Sequence, residues 1–384
     1  MLSPLLTQVG DYRLSTAVIS HASRAQLVSR LRGHEPGLRC QVLIDGSGQP
    51  SPGSALGNVL QAWRSVASGA THHLVLQDDV TLCQGFLAGL AAAIDCAPSR
   101  GFSLFSEWGS KTAQVIRIGA LTGAGWAEVA DPWLPAPAVL MPARQAGEFA
   151  EFLEQRIDAG ERRDAFLLLA HLQSIGQPAL VSVPNLVQHD DPPQPSLLPN
   201  GKVRGPRRTA CYLGDLSAAP EWSSRIQRLP GTLIYHSPHD LVASALSQPD
   251  PGYQWQAEPV FSWLGRRGFG LDRIAEEFAA ARQRTGAPSH AGPLGHDTLI
   301  ESWLGAFGTG ASIADERLPL GPRSAPVRAA ALATMAAGPY RRVLADQQLS
   351  WLSENLPPLL EDALERAITL VNNAEIDPVR TVAG

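Results

Sequence analysis

Residues 72–86 read HHLVLQDDVTLCQGF. Its apolar run at 74–76 has the character of a buried strand, and two adjacent carboxylates, Asp78 and Asp79, follow at the carboxyl end of that run. A stretch that looks helical begins near Phe86. In open α/β sheets, ligands bind in the crevice beyond the carboxyl ends of the strands. The two acids are therefore the first candidates for a functional site.

Strands and helices alternate on both sides of this stretch. Short β-like runs stand at 16–20 and 40–45, and segments with apolar residues at helical spacing separate the strands. Ser23 is a plausible N-cap of the first helix. A further strand is expected at 137–141, ahead of another helix. This alternation predicts the α/β class, with parallel strands covered by helices.

The chain has 384 residues, more than one hydrophobic core usually serves, which favours two domains. A segment rich in Pro and Gly at 191–206 is a candidate boundary, and helical patterns dominate after about residue 220, with one strand signal at 231–235. We therefore predict an α/β domain at 1–215 and a mainly helical accessory domain at 216–384.

Composition excludes several classes of function. The net charge of −5 argues against a nucleic-acid partner. The four cysteines include no Cys-x-x-Cys pair, which disfavours a zinc site or a disulfide framework and favours a reducing compartment. The N-terminal residues lack the pattern of a signal peptide, and no apolar run is long enough to span a membrane. We expect a cytoplasmic protein.

The paired acids suggest a metal site. Mg²⁺ and Mn²⁺ prefer oxygen ligands. Side chains alternate along a strand, so Asp78 and Asp79 cannot share one strand face. If the chain turns there, one acid can bind a metal and the other can contact a ligand hydroxyl or a metal-bound water. The alternative is that the two acids only end the strand and cap the following helix.

The block at 72–86 resembles the acidic motif of glycosyltransferases with the GT-A fold, in particular members whose motif reads Leu-Glu-Asp-Asp before a helix that starts near Phe. Gln77 replaces that Glu, and the commoner Asp-x-Asp pattern is absent. The resemblance implies a Rossmann-type mixed sheet flanked by helices. It implies a nucleoside diphosphate sugar as donor, with a UDP-sugar as the first choice, and Mn²⁺ or Mg²⁺ as cofactor. Asp79 would bind the metal, and Asp78 would face the donor or a metal-bound water.

A second block, VPNLVQH at 183–189, is similar to a later strand of the same families, in which Pro-x-Leu-Val-x-His precedes a loop that contains Ser. Ser196 occupies that loop here. Because the His completes the metal site in some members, the resemblance implies that His189 is a second metal ligand. A structural histidine at a strand end is the alternative. The resemblance covers about residues 13–215.

Two further residues are candidates for donor binding. Asp45 ends the second strand, where it could accept a hydrogen bond from the base or the ribose, although a role as turn former beside Gly46 fits equally well. Asn58 lies on a helix that resembles the one bordering the donor pocket in the family. Arg24 follows the first strand and could touch the nucleotide, but a solvated position on the helix is the simpler interpretation.

A basic cluster follows the Pro-rich segment and consists of Lys202, Arg204, Arg207 and Arg208. A loop that closes over a diphosphate would explain it, with Arg207 and Arg208 as the phosphate-binding pair. A solvated linker is the alternative.

Asp164 opens a predicted helix. The resemblance implies that it is the catalytic base, since an acid at a comparable place removes the proton of the acceptor hydroxyl in inverting members, and this attack requires such a base. Its alternative role is to interact with the dipole of that helix.

Together these features predict a metal-dependent glycosyltransferase, with hexosyltransferase-like activity, that acts on a glycan, a peptide or a natural product as acceptor. The helical domain would shape the acceptor site or mediate self-association into a homo-oligomer. The alternative is a non-catalytic nucleotide-sugar-binding or scaffold protein. A phosphatase of the haloacid dehalogenase type is disfavoured, because residues 77–81 lack the second acid two positions after the first. A nucleotidyltransferase is disfavoured because no Gly-rich phosphate loop follows the first strand.

Overall fold

A computed structural model of the chain describes residues 5–45, 52–161, 163–189, 205–217, 221–248, 254–287, 292–318 and 324–376. In these residues a large mixed β-sheet is flanked by helices and continues into a largely helical C-terminal region. The α/β class is confirmed. Three residues singled out above, Ser196, Lys202 and Arg204, lie outside the described residues.

Among the residues that the structure describes, the large sheet has nine strands, in the spatial order β1-β2-β4-β8-β6-β9-β7-β11, with β3 paired to β2. Their bounds are β1 Leu6–Val9, β2 Tyr12–His21, β3 Gln41–Asp45, β4 His72–Gln77, β6 Phe102–Ser103, β7 Trp126–Glu128, β8 Ala138–Pro142, β9 Leu180–Ser182 and β11 Ile226–Gln227. A separate pair consists of β5 Val80–Leu82 and β10 Val187–His189.

Strands β2, β3 and β4 are parallel, as the alternation of strands and helices predicts. The sheet becomes mixed at β8, which runs antiparallel to β4 and to β6. Because β4 lies between β2 and β8, its carboxyl end opens at the middle of this part of the sheet rather than at an outer edge. Residues that follow β4 are thus surrounded by the ends of neighbouring strands.

The apolar run in β4 is explained by helices on both faces of the sheet. Leu74 and Leu76 pack in the hydrophobic core beneath α1 Ala25–His34 and α3 Phe86–Cys96. Val75 points to the other face, against three helices. These are α2 Pro52–Arg64, α5 Ala143–Asp158 and α6 Asp164–Ser174. Trp63 of α2 is 1% exposed in this second core, as expected for an apolar helix face.

The C-terminal region contains six described helices and a small sheet. The helices are α7 Val260–Gly265, α8 Leu271–Thr285, α9 His296–Asp315, α10 Ala325–Ala337, α11 Asp346–Asn355 and α12 Pro357–Ile376. The sheet is antiparallel and consists of β12 Thr232–His236, β13 Ala243–Ser247 and β14 Gln256–Pro259. The strand predicted at 231–235 is confirmed as β12. Sequence patterns missed β13 and β14, because these strands are short and contain few β-branched or aromatic residues.

The helices α9 and α12 pack closely enough to require glycine at one position. A Cβ atom at Gly310 would lie 2.3 Å from the carbonyl oxygen of Leu364, which no side chain can tolerate. This contact helps to define the C-terminal helical core. In the part of the chain that the structure covers, we find no helix with both the length and the apolar character needed to cross a bilayer.

The chain beyond residue 215 continues the fold that precedes it. Strand β11 pairs in parallel with β7 and so extends the large sheet. Helix α4, Lys111–Thr122, contributes Val115 and Ile116 to the same hydrophobic core as Leu233, Trp303 and Leu332 of the C-terminal region. The two predicted regions therefore share both a strand pairing and a core.

Arg117 of α4 forms hydrogen bonds with residues of both regions. Its guanidinium donates hydrogen bonds to the carbonyl oxygens of Trp108 and Thr334 and, at 3.2 Å, to Thr334 Oγ1. Arg117 is 4% exposed, and burial lowers the pKa of its guanidinium to about 10 because the charged form loses its hydration. A buried cation of this kind is stable only while its hydrogen-bond partners stay in place.

We therefore expect Arg117→Met to lower the free energy of unfolding by about 2–4 kcal/mol, because two buried carbonyl oxygens lose their donor. Urea denaturation measures the change. The control is Arg144→Met, since the Arg144 side chain is 90% exposed and pairs with Glu148 on the same helix. Equal effects of the two substitutions would contradict the role assigned to Arg117.

Candidate functional site

Asp78 and Asp79 are both buried at the carboxyl end of β4, each 4% exposed. The backbone N–H of Asp78 still donates to the carbonyl oxygen of Ile19 at 3.1 Å, so the parallel pairing of β2 and β4 continues one residue past β4. The chain then turns into β5 at Val80. Both acids consequently lie where the carboxyl ends of β2 and β4 meet.

The side chain of Asp78 is held by residues that follow β2. Its Oδ2 accepts hydrogen bonds from Ser20 Oγ at 2.8 Å and from the His21 backbone N–H at 3.3 Å. Its Oδ1 accepts from Arg24 Nη1 at 3.3 Å. Burial raises the pKa of Asp78 more than any single partner lowers it, and the charge of Asp79 adds to the increase. Asp78 therefore gains a proton more readily than an exposed aspartate.

Asp79 has a more strongly cationic environment. Its Oδ2 lies 3.1 Å from Arg24 Nη1, 3.4 Å from His189 Nε2 and 3.7 Å from Arg207 Nη2. Burial by itself would raise the pKa of Asp79, but the contact with His189 and the charges of His189, Arg207 and Arg24 outweigh it and lower the pKa to about 2. Asp79 is therefore ionised at neutral pH.

The contacts with Arg24, His189 and Arg207 all involve Oδ2 of Asp79 and not Oδ1. Within the described ranges, Oδ1 of Asp79 is buried and has no hydrogen-bond partner. A buried carboxylate oxygen normally accepts a hydrogen bond or binds a cation. Its environment is thus consistent with a ligand or a metal ion at this position.

His189 reaches Asp79 through the pairing of β5 with β10. In this antiparallel pair His189 lies opposite Val80, the residue that follows Asp79 in the chain. His189 is 2% exposed, and its ring lies 6.0 Å from that of Phe105. The register of this short pair explains why residues 110 positions apart in sequence, 79 and 189, share one site.

The alternative that the acids cap a helix is wrong. Helix α3 begins at Phe86, and its N-cap is Gly85 in the left-handed conformation, with φ of 77° and no side-chain cap. Asp78 and Asp79 are instead engaged with side chains from distant segments.

Arg24 is a member of this cluster whose position the sequence pattern does not indicate. The simpler interpretation placed it in solvent, but it is 8% exposed and contacts both carboxylates. The reason is local: a 3₁₀ turn, Ala22–Arg24, follows β2 and precedes α1. Ser23 does not cap α1, because the N-cap is Arg24 and Ser23 Oγ bonds His21 Nδ1 at 2.8 Å. Helical spacing could not show this inward turn.

The predicted pair of phosphate-binding arginines separates in the structure. Arg207 points to Asp79, whereas Arg208 Nη2 lies 3.7 Å from Asp346 Oδ1 of α11. The Arg208 guanidinium also lies 5.3 Å from the centre of the Trp108 ring. The structure thus brings Arg207 to the acids and directs Arg208 to the C-terminal region.

The other two donor-binding candidates lie near this edge of the sheet without a shown contact to the acids. Asp45 ends β3 and pairs in register with His21, whose backbone N–H bonds Asp78. The Asp45 side chain is outside the described part of the structure. Asn58 is half-buried on α2, and among the residues described here no hydrogen bond joins it to Asp78 or Asp79.

Asp164 is the first residue of α6. Two backbone hydrogen bonds connect the start of this helix, through residues 134–137, to the end of β4. The carbonyl oxygen of Ala165 accepts from the Leu134 backbone N–H at 3.0 Å, and the Pro137 carbonyl oxygen accepts from Gln77 N–H at 2.9 Å. Asp164 itself is half-buried, and burial raises the pKa of its carboxyl group. No hydrogen bond or ion pair in the described residues joins it to the acid cluster.

The residues present could supply only some of the ligands that a metal ion needs. Among the side chains that the structure describes, no three His, Cys, Asp or Glu residues are grouped so that they could hold a metal ion. Asp79 Oδ1 and His189 supply two potential ligands. Mg²⁺ commonly uses one or two carboxylates together with substrate phosphates and water. The two residues fit a cation shared with a bound diphosphate, rather than one held by protein alone.

Comparisons with protein-family models and with curated proteins find no match for this chain. The likeness to GT-A glycosyltransferases therefore rests on the residues of the two motifs.

The low pKa of Asp79 makes stability depend on pH in a defined direction. The ionised carboxylate stabilises the folded chain above the ordinary aspartate pKa, and this contribution is lost as pH falls from about 4 toward about 2. The advantage of the wild type over Asp79→Asn in unfolding free energy should thus shrink by roughly 2 kcal/mol over that interval.

Urea denaturation at several pH values measures this difference. Glu151→Gln, an exposed substitution on α5, serves as control and should show no comparable trend. A wild-type advantage that stays constant down to pH 2 would show that Asp79 is not held by the cationic cluster.

Proposed function

We propose that the chain transfers a sugar from a nucleoside diphosphate sugar to an acceptor nucleophile, with Mn²⁺ or Mg²⁺ shared between Asp79, His189 and the diphosphate of the donor. One observation carries the proposal. Asp79, buried at the carboxyl end of a central parallel strand, is contacted at once by Arg24, His189 and Arg207. A site of this position and charge suits a diphosphate with an associated cation.

The chemistry requires that negative charge on the departing diphosphate be offset. When bound, a divalent cation supplies Lewis-acid stabilisation of that leaving group. Arg24 and Arg207 can add planar guanidinium donors, which suit phosphate oxygens. Asp78 keeps Arg24 in position through Oδ1, while its Oδ2 remains bonded to Ser20 and His21. Burial of these groups strengthens each electrostatic contact.

Asp164 is proposed as the base. In the reaction the bond between the sugar carbon and the diphosphate oxygen breaks, a bond from the acceptor oxygen forms, and the acceptor proton passes to the Asp164 carboxylate. A raised pKa makes a carboxylate a better proton acceptor. The half-buried rings of Trp133 and Phe166, 5.6 Å apart, lie beside the start of α6 and offer an apolar surface for an acceptor. If Asp164 only interacted with the dipole of α6, no acceptor surface would be needed beside it.

A second candidate function is non-catalytic binding of a nucleotide sugar. The contact of Arg24 with both carboxylates favours it, because a guanidinium already neutralises the acids that would bind the metal. In that case a nucleotide would bind without dependence on a cation and without turnover.

Calorimetric titration with UDP, with and without Mn²⁺, is the first test. We expect binding in the presence of Mn²⁺, and we expect Asp79→Asn to weaken that binding at least ~100-fold, since a loss of about 3 kcal/mol corresponds to the removal of one charged contact. Asp346→Asn is the matched control, because Asp346 is 71% exposed and pairs with Arg208 rather than Arg207.

Two results would separate the candidates. Slow, Mn²⁺-dependent hydrolysis of UDP-sugars would support the transferase, whereas nucleotide binding that ignores Mn²⁺ and never leads to turnover would support the binding protein. Absence of nucleotide binding under both conditions would contradict both.

Replacement of the base gives an independent prediction. Asp164→Asn should lower kcat about 100-fold or more, the usual contribution of a general base, with little change in the affinity for UDP. Wild-type activity should fall as the pH drops through the pKa of Asp164, because only the ionised form accepts a proton. That fall should begin at a higher pH than for an ordinary aspartate, since burial raises this pKa. Initial rates across a pH series measure both effects, and an unchanged rate for Asp164→Asn would assign Asp164 to the helix terminus.

A further inference from the structure

Two arginines contact Asp79, the carboxylate proposed to bind the cation. Arg24 Nη1 and Arg207 Nη2 lie 3.1 Å and 3.7 Å from Asp79 Oδ2, and Oδ1 of the same carboxylate is the oxygen available to a metal ion. The two oxygens of one carboxylate are close neighbours. A divalent cation at Oδ1 would therefore sit within a few ångströms of two guanidinium groups.

This arrangement disfavours the binding of a divalent cation at Asp79 in the absence of an anionic ligand. Like charges repel strongly at short range, and burial reduces the screening by water. The side chains of Arg24 and Asp79 are 10% and 6% exposed, so solvent contributes little relief. The acid that would bind the metal already has cationic partners, and the metal would have to compete with them.

A bound diphosphate would offset the repulsion between the cation and the two guanidinium groups. It brings negative charge and several oxygen acceptors, so it can bind the cation and the two arginines at the same time. The Arg207 side chain is 26% exposed, so Arg207 is the more accessible of the two arginines. Arg24 Nη1 contacts both Asp78 and Asp79, so a phosphate oxygen beside Asp79 would lie close to the Arg24 guanidinium.

We infer that Arg24 and Arg207 make cation binding at Asp79 conditional on a bound diphosphate, so that metal and nucleotide enter as one complex. The inference rests on the proposed function and adds to it a role for two residues of the chain. Arg24 and Arg207 act as internal counter-ions before the donor binds and as phosphate ligands afterwards.

The test compares Mn²⁺ alone with Mn²⁺ in the presence of UDP, using the whole protein. Electron paramagnetic resonance of free Mn²⁺ measures metal binding directly, and calorimetry measures UDP binding. We expect the wild type to bind Mn²⁺ at least 10-fold more weakly without UDP than with it.

Substitution of the arginines should shift the two affinities in opposite directions. In Arg24→Gln and Arg207→Gln, Mn²⁺ alone should bind at least 10-fold more tightly than in the wild type, and UDP should bind at least 10-fold more weakly. Arg208→Gln is the matched control, since Arg208 pairs with Asp346, and neither affinity should change. Arg207→Gln remains informative if Arg24→Gln fails to fold, because Arg207 is the more exposed of the two.

Failure of the inference is distinguishable from failure of the proposed function. Tight binding of Mn²⁺ to the wild type without UDP, or unchanged Mn²⁺ affinity in both glutamine variants, would overturn the inference while leaving UDP binding intact. Lack of UDP binding to the wild type at any Mn²⁺ concentration would overturn the proposed function and the inference together.

Discussion

The contact of Arg24 with Asp78 and Asp79 is the interaction on which the rest of the site depends. Two adjacent carboxylates, each 4% exposed, would be strongly unfavourable in a protein interior without compensating charge. Arg24 supplies that charge from the turn after β2, and Arg207 and His189 complete it around Asp79. The buried acids therefore require that several distant segments adopt their native positions together.

The way these segments meet follows from strand pairing. Parallel pairing of β2 with β4 places the turn that carries Arg24 beside the end of β4. Antiparallel pairing of β5 with β10 places His189 opposite Val80. The segment with Arg207 reaches the same point, because the Trp108 N–H donates to the Arg208 carbonyl oxygen. A shift of one residue in either pairing would turn the required side chains to the opposite face.

The central features of this arrangement were accessible from the sequence. The apolar run of β4 predicts a buried strand, which is confirmed. The acids that follow it and the similarity of residues 183–189 to a family motif predict that Asp79 and His189 lie together, and the structure places them 3.4 Å apart. These features are local patterns, which a single sequence displays directly. Their meeting in space depends on the order of strands and is shown by the structure.

Other features depend on tertiary contacts that no local pattern contains. Arg24 is directed inward by a turn, although its spacing suits a solvated helix. Arg208 and Arg207 are adjacent in sequence but belong to different parts of the molecule. Strand β11 joins the large sheet from beyond the predicted boundary at residue 215, because β7 offers it an unpaired edge.

The most direct measurement is a crystal structure of the protein with UDP and Mn²⁺, with the metal located by anomalous scattering. We expect a metal peak within about 2–2.5 Å of an Asp79 oxygen, with the diphosphate in contact with the metal, Arg24 and Arg207. A diphosphate bound away from the carboxyl end of β4, with Asp79 still enclosed by its arginines, would contradict it.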